Sequence, residues 1–172
     1  MMSIPDLSKV VLATKFEGED VEETRLAGVS IAAARSYISG FRWCSKIVEQ
    51  YVGLLFPGVL GVSLFEIVPA RNAPPWVWII TGDLPPAYLN VDPNVTPNAA
   101  NALDCYVGHM RAWVDAIRDQ KSLEGLMPVA AEPTIANANL LDSRLDMIDS
   151  FILSQYVDEL LSHGRWRGVY GN

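Results

Sequence analysis

From Asp20 onward, apolar residues return at three- and four-residue steps: Leu26, Val29, Ala33, Tyr37 and Phe41. That spacing predicts a helix with one apolar face. Asp20 is placed to accept hydrogen bonds from the first free amides, and Glu22 and Glu23 suit the positive helix end. Gly40 predicts a bend or break. The pattern resumes with Trp43, Ile47, Val48, Tyr51 and Val52, which predicts a second helical phase stopping before Pro57-Gly58.

The pattern then changes. Residues 59–69, VLGVSLFEIVP, are apolar on both alternating faces and predict a strand inside a sheet. ARNAPP (70–75) supplies a turn, and Trp76–Thr81 predicts a second strand paired antiparallel to the first. Four prolines in residues 82–98 exclude long regular structure there. Thr96 is a candidate cap, with Pro97 at a first helical position.

The next helix carries Leu103, Tyr106, Val107, Met110, Trp113, Val114 and Ile117 on one face, with Asp104, Arg111, Asp115 and Arg118 opposite. After a connection over 119–133, Leu141, Leu145, Ile148, Ile152, Tyr156 and Leu160 predict one long helix from Thr134 towards Ser162, stopped by His163-Gly164. Residues 1–19 read as a variable lead-in and 165–172 as a loose tail. Short strands have room at 8–16 and at 126–131.

The strands are grouped rather than interleaved with helices. The expectation is therefore one α+β domain over 1–172, not a doubly wound nucleotide fold. Its small antiparallel sheet, with strands near 59–69 and 76–81, is flanked by amphipathic helices.

Composition adds charge and context. The chain has 172 residues, 50% of them hydrophobic and only 19% charged. So few charges point either to a large core or to apolar surface covered by a partner or a second copy. A net charge of −7 weighs against nucleic acid and anionic membrane, and leaves a basic protein as a possible partner. Cys44 and Cys105 form no motif pair, and reduced thiols suit a cytoplasmic protein. The N-terminus lacks a secretory pattern, and the apolar run 53–65 is too short to span a bilayer.

Candidate chemistry is sparse. Glu66 interrupts an apolar strand, where burial would raise its pKa and make it a general acid or base. The plainer reading sets it at the rim or beside Arg71. Asp83 and Tyr88 lie in Gly82-Asp83-Leu84-Pro85-Pro86-Ala87-Tyr88, a proline-stiffened loop suited to binding, or simply a path to the next helix. His109 follows Cys105 by one turn, which reads as half a metal site or as the edge of a packed helix. Asp142, Asp146 and Asp149 share a helix face that offers a basic partner a docking stripe, or is only solvated. Trp166, between Arg165 and Arg167, has the composition of an interface patch. No metal site, no cofactor and no catalytic motif is read from the chain.

The runs WCSKIVEQYVG (43–53), VSLFEIVPA (62–70), WVWIITGDLPPAYL (76–89), ALDCYVGHMRAWVDAI (102–117), MPV (127–129) and LLDSRLDMI (140–148) resemble a group of small bacterial proteins without an established activity. The resemblance covers about two thirds of the chain. It implies a bacterial protein and carries over no residue role. Small acidic bacterial proteins of this kind suggest, by analogy, immunity proteins of toxin systems.

The leading expectation is a non-enzymatic protein-binding module, possible as an immunity-type inhibitor, with Asp83, Tyr88 and the aspartate stripe in contact with a basic partner. The alternatives are a small-molecule binder or enzyme with Glu66, Asp83 and His109 around one pocket, and a structural homodimer.

Overall fold

A computed structural model describes residues 4–162. A short strand, β1 (Val11–Leu12), precedes helix α1 (Val21–Ser39). Four strands follow: β2 (Cys44–Phe56), β3 (Leu60–Pro69), β4 (Trp76–Gly82) and β5 (Ala87–Asn90). Helices α2 (Ala99–Arg118), α3 (Ile135–Met147) and α4 (Val157–Leu161) come after the strands. The fold is α+β, as expected. The sheet is antiparallel throughout, in the order β1-β2-β3-β4-β5. Trp166 and its flanking arginines, His163-Gly164 and the tail lie outside the described residues.

Helix α1 begins as its sequence demands. Asp20 accepts from the Glu23 amide at 2.8 Å, and the Glu23 carboxylate accepts from the Glu19 amide at 2.7 Å. The helix ends at Ser39, and Gly40 caps it rather than bending it.

The second helical phase expected over 43–52 is instead β2. Its register slips between Cys44 and Lys46, between Ile47 and Glu49, and between Val52 and Leu54. Each slip turns the strand by one side chain. Apolar residues that would alternate therefore fall at 47, 48, 51 and 52, which imitates a helical period. β-Branched Ile47, Val48 and Val52 favour the strand.

The sheet buries both faces. Phe65, Ile67, Val77 and Ile79 pack under Ala34 and Ile38 of α1. Leu60, Val62, Leu64, Trp78 and Ile80 pack against Ala99–Trp113 of α2, and α3 lies beyond it. Gly53 lets α2 come close: a Cβ there would sit 2.6 Å from that of Ala99. Gly82, at φ +143°, ends β4 where any Cβ would strike the Val59 carbonyl at 2.3 Å.

Asn98, not Thr96, caps α2, accepting from the Asn101 amide at 2.8 Å. Thr96 ties the preceding loop instead, donating to the Asn90 carbonyl at 2.7 Å while its own carbonyl accepts from the Trp78 indole at 2.9 Å. Asp104, expected at the surface, is buried.

The last helix is not continuous. Thr134 caps α3 as expected, but the chain passes through a π turn at Ile148–Ile152 and a 3-10 turn at Leu153–Gln155 before α4. Ser154 and Gln155 return hydrogen bonds to the carbonyls of Ser150 and Phe151 in this stretch. β1 falls within the expected 8–16 window; residues 126–131 form no strand.

Candidate functional site

The aromatic residues of three elements meet at the β5 edge. Tyr37 and Phe41 come from the end of α1, Trp43 from the entry to β2, and Tyr88 from β5. The ring centroids of Trp43 and Tyr88 are 4.9 Å apart, those of Phe41 and Tyr88 5.1 Å, and Phe41 stacks on Trp43 at 4.9 Å. Tyr37 meets Phe41 edge-on at 5.1 Å. Alternation along β5 explains the exposure: Ala87 and Leu89 turn into the core, while Tyr88 turns out and stays 42% exposed.

Two cavities flank Tyr88 along the strand. One, of about 490 Å³, lies between Tyr37, Phe41, Pro86 and Tyr88 on one side and Met127–Ala130 on the other. The second, of about 300 Å³, lies between Trp43, Pro74, Val77, Tyr88 and Asn90. The phenols of Tyr37 and Tyr88 are the only titratable groups among the described lining residues. Burial, with a smaller contribution from the Tyr88 phenol, pushes the Tyr37 phenol up.

The loop ahead of β5 is anchored from below. The buried Tyr106 hydroxyl donates to the Pro85 carbonyl at 2.6 Å. Burial pushes that phenol far above its ordinary value. β5 is the last strand of the sheet; among the described residues it makes no backbone-to-backbone hydrogen bond outside its pairing with β4, and only the Asn90 carbonyl at its end accepts from a side chain, that of Thr96. The 127–130 segment runs beside it, leaving the groove between.

The other candidates lie elsewhere. Glu66 is half-buried, opposite Trp76 and Glu49, at the far end of β3 from Leu60. Leu60 pairs with Gly82, so Asp83 stands level with Val59, seven residues along the sheet from Glu66, about 23 Å away at the strand repeat. These two carboxylates do not line one pocket. Glu66 makes no ion pair with Arg71 among the described residues. Asp83 is exposed and pairs with Arg144 at 3.2 Å. His109 is exposed on α2, one turn beyond half-buried Cys105.

Asp142, Asp146 and Asp149 do converge, but on Arg111, which holds all three at 2.9 Å. Arg118 adds a second cation to Asp142 at 3.3 Å. The stripe is tied to α2 through Arg111, with the Asp146 side chain still 68% exposed. Among the described residues no three His, Cys, Asp or Glu side chains gather to hold a metal ion, and no helix is long and apolar enough to cross a membrane.

Tyr88 and the proline loop are legible in the sequence. Tyr37, Phe41 and Trp43 are read there as helix core, although three aromatic residues around the Gly40 break were the available signal. The class defined by fold and site is thus an α+β domain of three layers with an aromatic groove at a free sheet edge. No family model, curated protein or solved structure matches the chain.

Proposed function

We propose that the protein is a non-catalytic binding module that seats an extended, apolar segment of a partner protein along β5. The observation that carries this reading is the pair of apolar cavities set one after the other along an open edge strand, with Tyr88 between them. A strand laid on an edge takes its main-chain bonds from that edge and drops alternate side chains into pockets. Rigid aromatic rings lose little entropy when such a segment arrives. A net charge of −7 favours a partner of opposite overall charge.

Panning a library of random displayed peptides against the full chain and against its Tyr88→Ala variant tests the reading. The expected result is enrichment of peptides with apolar residues at alternate positions, whose affinity falls at least tenfold on the variant. Enrichment that ignores Tyr88→Ala overturns it. So does a concentration-dependent dimer that loses its contact on the same substitution, since the edge then serves a second copy.

A further inference from the structure

We propose that the cavity between α1 and the edge of β2 binds a small zwitterion with an apolar body, of amino-acid or dipeptide size. This cavity measures about 400 Å³ and shares no residue with the β5 groove. Its long wall is a stripe of α1 at helical spacing, Ala27, Gly28, Ile31 and Arg35, and its far wall is Glu49 and Gln50 of β2.

Three features single out the space. Gly28 sits inside a helix, where glycine is a poor choice, yet a Cβ there would meet nothing within 4 Å. Packing gives no reason for the glycine, whereas an open cavity does. Gln50 is only 3% exposed. Its Nε2 donates to the Ile31 carbonyl at 3.0 Å and to the Ser63 hydroxyl at 3.5 Å, which fixes the amide at the cavity wall, while its Oε1 meets no donor among the described residues. Lastly, Arg35 and Glu49 both line the cavity, and among the described residues neither makes an ion pair, with each other or elsewhere.

These groups sort by chemistry. The Arg35 guanidinium takes an anionic end, such as a carboxylate. The Glu49 carboxylate and Gln50 Oε1 take a cationic donor, such as an ammonium. Ala27, Gly28 and Ile31 take the apolar body. A fatty acid would leave Glu49 unmatched, and a simple amine would leave Arg35 unmatched.

The test is calorimetric titration of the full chain with L-phenylalanine and with a phenylalanine–leucine dipeptide, which separates the two sizes. N-acetyl-phenylalanine lacks the ammonium and phenylalanine amide lacks the carboxylate. Binding of at least one zwitterion is expected, weakened about tenfold or more when either charge is blocked and in Arg35→Gln or Glu49→Gln. Gly28→Leu should abolish binding with circular dichroism unchanged, and Tyr88→Ala should leave it intact. Absence of binding by both zwitterions, or equal binding of the blocked analogues, overturns the assignment.

Discussion

Tyr88 rests against Trp43 with ring centroids 4.9 Å apart, so the last strand of the sheet is joined to the entry of the second by an aromatic contact. Because Tyr88 is 42% exposed, this contact holds a surface in shape more than it holds the fold together. Tyr88→Ala should therefore cost less than about 1.5 kcal/mol in urea denaturation, below the usual cost of truncating a fully buried aromatic ring. The same substitution should remove the binding of peptides selected on the wild type. A large loss of stability would instead mark Tyr88 as core.

Among the described residues Arg111 is the cation that Asp142, Asp146 and Asp149 share, and its side chain is 28% exposed. Removing it takes the common positive charge from between carboxylates at a helix seam, with Arg118 still on Asp142. Arg111→Gln should destabilise the protein by about 1–3 kcal/mol, in the range for hydrogen bonds to charged groups. Added salt should recover part of the loss by screening the repulsion. Asp146→Asn should cost little, since that carboxylate is 68% exposed. Equal losses for Arg111→Gln and Asp146→Asn would contradict the clamp.

Tyr106 makes stability sensitive to alkali. Its phenol is held neutral in the fold, well above the ordinary value of 10.0, chiefly by burial. Ionisation therefore favours the unfolded chain, and the contribution present below pH 10.0 is lost as the pH rises past that value. Tyr106→Phe should lose about 1 kcal/mol at neutral pH, for the bond to the Pro85 carbonyl. It should also show a shallower decline above pH 10.0. Urea midpoints of both proteins measured across that range decide it.

Gly28→Ala should stabilise the free protein by about 0.5–1 kcal/mol, because alanine is the better helix former and the added methyl meets no neighbour. Thermal denaturation with and without the zwitterion reads this out. A destabilised variant would show that the helix needs glycine there for a backbone reason.

Where local spacing and the element's true geometry agree, the sequence is readable. Asp20 and Thr134 cap the helices they appear to cap, and β3 is buried on both faces from Leu60 to Phe65, as its apolar run implies, though Val68 near its end is exposed. The reading fails where a local device shifts the period. Bulges in β2 move Val48 and Tyr51 into a helical rhythm. The π turn hides inside the repeat of Leu145, Ile148 and Ile152, because a wider turn keeps those residues inward without marking the sequence. The site divides in the same way. Tyr88 stands out beside its prolines, whereas Trp43 reaches it only through tertiary folding, and no spacing reveals that Asp142, Asp146 and Asp149 already share Arg111.

Every strand of the sheet hydrogen-bonds to the strand beside it in sequence. Most of the pairing therefore closes through short loops. β5 is the last strand of that meander, and its Tyr88 meets Trp43 at the entry to β2. The groove also needs Met127–Ala130, which follow α2 in the chain. A chain cut after β5 would thus keep Tyr88 on its strand but lack the outer wall that makes a groove of it.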